Sequence, residues 1–202
     1  MSFNKKNFLS VLPLTISSII CFIAIVVVHN LTKDKININK EQAALAIINE
    51  VIPVEYDNDL FHDKIKVDVP AYINHTNIIT AYRARIDNKP VAISLMPIIS
   101  KGYNGSISLV IGIAYDGNLT GVRIINHNET EGFGDQAHQD NSKWLYDFNG
   151  YSLETPEKKW AIKKDKGEFD QLSGATITSR SIINIIYKTL EYYSKNRNKF
   201  YK

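Results

Sequence analysis

Residues 106–127 read SISLVIGIAYDGNLTGVRIINH, two apolar segments on either side of a short polar stretch. Both segments are rich in β-branched residues, which favour strands. Asp116-Gly117-Asn118 between them is typical of a tight turn that joins antiparallel strands. The pattern therefore predicts a β-hairpin, with strands at 106–115 and 119–127.

Further strand patterns flank this hairpin, and a helical pattern follows it. IITAYRARI (78–86) and VAISLMPII (91–99) are predicted as strands, and WAIKK (160–164) is a short strand candidate. The polar stretch 128–139 is predicted as a loop, and SKWLYDF (142–148) as one or two helical turns. From Ser179 the apolar residues recur at helical spacing to about residue 196. Strands grouped ahead of a terminal helix predict an α+β domain with a mostly antiparallel sheet and flanking helices.

The N-terminal part of the chain carries an uncharged apolar run, FLSVLPLTISSIICFIAIVVV, at residues 8–28. At about 1.5 Å per residue its helix would span roughly 30 Å, the hydrocarbon thickness of a bilayer. A cleaved signal peptide and a lipoprotein signal at Cys21 are the alternatives. The run is longer than a signal's apolar region of about 7–15 residues, and Ile20 replaces the small residue that a lipoprotein signal needs. A retained transmembrane helix is therefore predicted.

The flanks of this run predict the topology and the domain boundaries. Positive charge slightly favours the side before the run, so residues 1–7 are predicted as a cytoplasmic tail. Residues 29–54 are interpreted as a connecting segment with an amphipathic helix, which has Asn39 as its N-cap and ends at Pro53. Residues 55–202 then form an extracytoplasmic domain.

The composition excludes several classes of function. The net charge of the 202-residue chain is only +3 and the charges are mixed along it, which argues against a nucleic-acid partner. A single cysteine cannot form an internal disulfide or a cysteine-based metal site. The histidines, among them His127 and His138, lack tight metal-ligand spacing. Neither a metal site nor a catalytic residue is predicted.

The stretch DQLSGATITSR (170–180) lies at the predicted start of the terminal helix. One interpretation is that Ser173, Thr176 or Thr178 caps this helix through its hydroxyl. The other is a phosphate site, because a helix N-terminus offers unpaired N–H groups and small neighbours allow close approach. A threonine hydroxyl there could carry a phosphoester. Local chemistry permits both interpretations.

Asp170-x-x-Ser173-Gly174-Ala175-Thr176 resembles the flavinylation motif of FMN-binding domains, in which the threonine carries FMN through a phosphoester. The stretches 102–136 and 167–190 are similar to the G subunit of the Rnf/Rsx ion-translocating electron-transport complex, and WAIKKDKGEFDQ matches in the same order. The single N-terminal span and the length of about 200 residues also agree with that family.

The resemblance implies a role for each matching residue. Thr176 would be the phosphoester threonine. Around the phosphate it implies a turn and a hydroxyl donor: Ser173, Gly174, Ala175 and Thr178. Beside the flavin ring or ribityl it implies residues that contact or admit the cofactor: Glu129, Thr130, Gly132 and Phe133. Lys163, with Lys164 as the alternative, would offset the phosphate charge.

Three positions depart from the family's usual pattern. Glu131 and Phe133 stand where the family has proline and leucine, and Gln136 replaces a lysine. Phe133 is still apolar and could pack against a ring. Glu131 adds a negative charge and removes a residue that rigidifies the loop, so the pocket shape is expected to differ.

The resemblance also implies a setting. It implies an electron-relaying flavoprotein in the cell inner membrane, with its domain on the periplasmic side and the other subunits of the complex as partners. A separate Mg-dependent flavin transferase would attach FMN from FAD. The alternatives are the C subunit of a sodium-translocating NADH:quinone reductase, which is usually longer, and a membrane-anchored binding module whose SGAT turn only caps a helix.

Overall fold

The computed structural model describes residues 5–138 and 140–201, the side chains of residues 5–12 and 37 excepted. The chain forms two compact units, one up to Ala43 and one from Ala44 onward. Helix α1 spans Lys5–Val51 and includes the apolar run. In the described part of the chain it is the one helix long and apolar enough to cross a membrane.

Helix α1 ends where the sequence predicts, but the structure has one continuous helix where the sequence predicted two. The helix stops at Val51, two residues before Pro53, which lacks the N–H that a helix needs. Asn39 was predicted to cap a separate amphipathic helix, and this prediction is wrong, since Asn39 lies inside α1. Asparagine tolerates helix interiors at a small cost, so its presence does not force a break.

Five antiparallel strands form one sheet in the order of the chain. They are β1 (Lys64–Asp68), β2 (Ile78–Ile86), β3 (Lys89–Lys101), β4 (Ser106–Ala114) and β5 (Leu119–Asn126). The predicted hairpin is confirmed as β4 and β5, with Asp116 Oδ1 accepting the Asn118 N–H at 2.9 Å in the turn. The predicted α+β class with a mostly antiparallel sheet is confirmed.

The remaining elements are short 3-10 turns and a C-terminal helix. The turns are Gly134–Ala137, Trp144–Phe148, Glu157–Lys159 and Lys163–Asp165, and α2 spans Thr176–Tyr201. The helical turn predicted at 142–148 is confirmed. The strand predicted at 160–164 is wrong, because only Ile162 forms a bridge, with Phe169, before the chain turns at Lys163. Strand β1 was not predicted, since KIKVD is short and three of its five residues are charged.

Both faces of the sheet are covered. On one face, odd-numbered residues of β4 such as Leu109 and Ile111 pack with Ile182, Ile186 and other residues of α2. On the opposite face, Val110 packs with Ile48 and Val51 in the last turns of α1. A strand that is buried on both faces reads as a nearly continuous apolar run, which is the pattern seen at 107–113.

Two paired glycines make room for the end of α1. Gly112 of β4 and Gly121 of β5 face each other across the ladder, and a Cβ at either would overlap the backbone of Val51. Thr120 donates its hydroxyl hydrogen bond to the Val51 carbonyl, and Arg123, 3% exposed, donates to Glu50 at 2.9 Å. These strand glycines therefore serve helix packing.

Candidate functional site

Three segments meet at one end of the sheet. The loop 102–105 joins β3 to β4, the loop 127–138 follows β5, and the turn 170–175 leads into α2. Together they form a cleft of about 500 Å³, within the usual range for small-molecule sites. Its lining residues are Tyr103, Thr130, Phe133, Gly174, Ala175, Thr176, Ile177 and Thr178.

The turn before α2 is built around Ser179. The Leu172 side chain is buried, and its backbone N–H donates to Ser179 Oγ at 3.0 Å. The Ser179 hydroxyl donates in turn to the Ala175 carbonyl at 3.0 Å. Gly174 takes the left-handed conformation, with a φ of 71° that glycine adopts at little cost. These bonds fix the position at which Thr176 enters the helix.

The three candidate capping hydroxyls do not cap α2 in the described structure. Thr178 donates its hydroxyl to Glu129 Oε2 at 2.5 Å. For Ser173 and Thr176, the described residues offer no hydrogen-bond partner to the hydroxyl, and Thr176 is half-buried at the cleft. The hydroxyl of Thr176 is therefore available for chemistry.

The first backbone N–H groups of α2 are also unpaired. The first intrahelical bond joins the Ser179 N–H to the Ala175 carbonyl at 3.0 Å. Within residues 5–138 and 140–201, no acceptor faces the N–H groups of Thr176, Ile177 and Thr178. Unpaired N–H groups at a helix N-terminus attract anions, phosphate in particular. They lie next to the Thr176 hydroxyl in the sequence, so both serve the same end of the cleft.

The walls of the cleft are apolar and open to solvent. Tyr103 is 74% exposed, and Phe133 and Ile177 are each 53% exposed. The Phe133 ring lies against Gly174, where an added Cβ would overlap the ring. Large apolar side chains seldom cluster at a surface without a ligand or partner. The arrangement suits an organic phosphate with a flat apolar body, and FMN fits that description.

The 127–138 loop contributes more structure than direct lining. Thr130 and Phe133 line the cleft, and the Thr130 carbonyl accepts the Phe133 N–H at 3.2 Å. Gly132 has a φ of 77° and nothing within 4 Å of a Cβ that it could carry. Gln136, a departure from the family pattern, donates to the Gly132 carbonyl at 2.6 Å and so stabilises the loop. Glu129 is buried behind the lining and is not part of it.

The two lysine candidates lie outside the cleft lining. Lys163 donates to Asp170 Oδ2 at 2.7 Å, and both side chains are well exposed. Lys164 is exposed on the same 3-10 turn. Arg180 holds this turn to α2 through two hydrogen bonds to Asp165, of 2.6 and 2.8 Å. The hydrogen bond from Arg180 keeps the pKa of the Asp165 carboxyl below its ordinary value.

The rings of His127 and His138 lie 5.7 Å apart, although their spacing in the chain is loose. No group of three or more potential metal ligands is present among the described residues.

Sequence reasoning missed two lining residues and two supports. Ile177 had a signal, because it is apolar where the next positions on its helix face, Arg180, Ser181 and Asn184, are polar. Tyr103 and Asn104 had none, since their roles depend on segments that are distant in the chain. Nothing in the sequence distinguishes the Ser179 hydroxyl from the serine and threonine hydroxyls around it.

The chain is similar to a family of domains, to curated relatives and to a solved structure. The FMN-binding domain family matches residues 102–191. The chain is 38% identical over 168 residues to the G subunit of the ion-translocating oxidoreductase complex of Pseudoalteromonas atlantica, covering 82% of this chain and 78% of that protein. It is 34% identical over 182 residues to the corresponding protein of Shewanella loihica, covering 89% and 86%. The crystal structure of NqrC from Shewanella oneidensis covers 72% of this chain and 73% of its own, with 21% identity and a TM-score of 0.47.

Proposed function

The chain belongs to the family of the G subunit of ion-translocating oxidoreductase complexes, and from that premise we propose that it is the membrane-anchored flavoprotein subunit of such a complex. FMN is its cofactor, attached to Thr176 through a phosphoester. The observation that carries the proposal is the position of the unpaired Thr176 hydroxyl beside three unpaired N–H groups, at the mouth of an apolar cleft.

Different groups of the chain would bind the phosphate and the ring system of FMN. The N–H groups of Thr176, Ile177 and Thr178 would bind the phosphate and leave one oxygen bonded to Thr176. Phe133, Tyr103 and Ile177 would contact the apolar ring system. A bound flavin supplies one- and two-electron redox chemistry, while the protein supplies position and local field. A covalent bond keeps the cofactor on the chain where no free flavin is assured.

The attachment is proposed to need a second protein. A flavin transferase would transfer FMN from FAD, so that the phosphate forms a bond to the Thr176 oxygen, the bond to AMP breaks, and the threonine proton is released. The half-buried Thr176 is within reach of such an enzyme because the cleft is open. In the structure Asp170 is exposed, which suits recognition by the transferase.

A mass measurement tests the attachment. The full chain, expressed beside a competent flavin transferase, is expected to gain the mass of one FMN less one water. Thr176→Ala is expected to fold without gaining this mass, because the accepting oxygen is gone. Ser194→Ala is the matched control, since it removes an exposed hydroxyl from α2 outside the cleft lining and is expected to keep the flavin. Flavin retained by Thr176→Ala would refute the assignment.

The proposed setting is the cell inner membrane, with α1 as a single span and the domain on the periplasmic side. Long apolar helices are held in bilayers, and the slight excess of positive charge before residue 8 favours this orientation. A C-terminal alkaline phosphatase fusion should be active, whereas an active cytoplasmic reporter at that end would overturn the orientation. Purification of the native complex should recover the other subunits, and their identities separate this complex from a sodium-translocating NADH:quinone reductase.

A further inference from the structure

Glu129 lies in the loop after β5, and its side chain is almost completely buried. Oε1 accepts the backbone N–H of Asn104 at 2.9 Å, and Oε2 accepts the hydroxyl of Thr178 at 2.5 Å. One carboxylate therefore connects the 102–105 loop on one side to the first turn of α2 on the other. The loop that carries Glu129 is the third segment of the cleft.

Two glycines show that the chain is built around this carboxylate. A Cβ at Gly102 would overlap Glu129 Oε1, and a Cβ at Gly134 would overlap Oε2. Neither glycine has a positive φ, so backbone conformation does not require glycine at these positions. The space that the Glu129 side chain occupies does require it.

The contacts of Glu129 belong to the cleft lining or lie next to it in the chain. Asn104 follows Tyr103, Gly134 follows Phe133, and Thr178 lies two residues after Thr176. We infer that Glu129 is a positioning residue that sets the separation of Tyr103, Phe133 and Thr176. This role deepens the proposed function, and its link to the flavin rests on that function.

The chemistry of the carboxylate suits such a role. A buried carboxylate strongly favours keeping its hydrogen-bond donors, since an unpaired buried charge is costly. The partial positive charge at the N-terminus of α2 also stabilises it. Glu129 thus holds both segments in place from behind the cleft lining.

Paired variants test the inference in the chain matured beside its transferase. Glu129→Leu and Thr178→Val remove the carboxylate or the hydroxyl with little change of size. Glu129→Gln and Thr178→Ser keep the bonding, because the amide can accept from Asn104 and donate to the Thr178 oxygen. We expect the first two to lose most of the visible circular dichroism of the attached flavin, and the conservative two to retain it.

A double-mutant cycle of Glu129 and Thr178, measured by thermal unfolding, does not need the flavin. In the Thr176→Ala background, Glu129→Leu and Thr178→Val should each lower Tm by about 5 °C, and the double variant should lower it by less than the sum. Additive shifts would overturn the inference, as would unchanged flavin dichroism in a less stable Glu129→Leu or Thr178→Val. If Glu129→Leu does not fold, comparison of Thr178→Val with Thr178→Ser tests the positioning role in its place.

Failure of the proposed function and failure of the positioning role give different results. A wild-type chain that gains no FMN mass refutes the proposed function. The double-mutant cycle on the unloaded chain then still tests whether Glu129 joins the two segments. A wild-type chain that carries FMN while the cycle is additive refutes the positioning role alone.

Discussion

At the scale of single residues, two glycines in the segments around the cleft have a left-handed backbone conformation. Gly174 combines a left-handed conformation with direct contact to the Phe133 ring. Gly132 has a similar conformation but open space around it. Substitutions at the two glycines therefore separate the free-energy cost of the left-handed conformation from that of steric overlap.

Alanine substitutions at these glycines give the first prediction. Gly132→Ala should cost about 1 kcal/mol, the ordinary penalty of an alanine in the left-handed region. Gly174→Ala should cost about 3 kcal/mol, because it adds an overlap with Phe133 to the same penalty. Chemical unfolding of the unloaded chain measures both values. Equal costs for the two variants would show that Phe133 does not pack on the turn.

Among the elements, the fit of α1 onto the sheet depends on Gly112. Gly112→Ala places a methyl group against the backbone of Val51, which cannot move as a side-chain end can. We expect a loss of about 2 kcal/mol or more in the free energy of unfolding. Ser108→Ala on the same strand is the control, and should cost less than about 1 kcal/mol. A similar loss in both variants would contradict the packing role.

The C-terminal end of α2 predicts a dependence on alkaline pH. Burial, and after it the neighbouring Tyr193, raise the pKa of Tyr201 far above its usual value, and the two hydroxyls lie 3.0 Å apart. The folded state thus favours neutral Tyr201, so its contribution to stability is complete below about pH 10, the unfolded pKa, and falls as pH rises above it.

Thermal unfolding between pH 8 and pH 11 checks this dependence. Tm of the wild-type chain should fall above pH 10, and Tyr201→Phe should fall less steeply because one titrating group has been removed. Tyr103→Phe, which changes an exposed tyrosine at the cleft, should keep the wild-type slope. Identical slopes in all three proteins would show that Tyr201 is not the group responsible.

At the scale of the molecule, the domain begins earlier than the sequence suggests. The second compact unit starts at Ala44, whereas the sequence interpretation placed the domain at 55–202. Ile48, Val51 and Ile52 are each at most 2% exposed and belong to the core on the α1 face of the sheet. Removing them would forfeit on the order of 5 kcal/mol, comparable with the total stability of a domain.

Two truncations test this boundary. A chain that starts at Ala44 should be recovered in the soluble fraction with a cooperative unfolding transition, while the full chain stays in the membrane fraction. A chain that starts at Glu55 should be largely unfolded or aggregated, since the sheet surface at Gly112 and Gly121, which the end of α1 covers, is left exposed. Equal stability of the two truncated chains would contradict the role of residues 44–54.

Local patterns in the sequence were sufficient for the hairpin, the α+β class and the long apolar helix. Each of these follows from neighbours along the chain: strand and helix periodicity, or a turn. The missed strand β1 and the wrong strand at 160–164 show the limit, because short charged or isolated segments take their structure from what they pack against. Tertiary structure alone revealed the buried carboxylate of Glu129 between Asn104 and Thr178, the position of Tyr103 in the cleft lining, and the packing of α1 against Gly112 and Gly121. Those features join residues far apart in the chain, and only the folded backbone brings them within hydrogen-bond or packing distance.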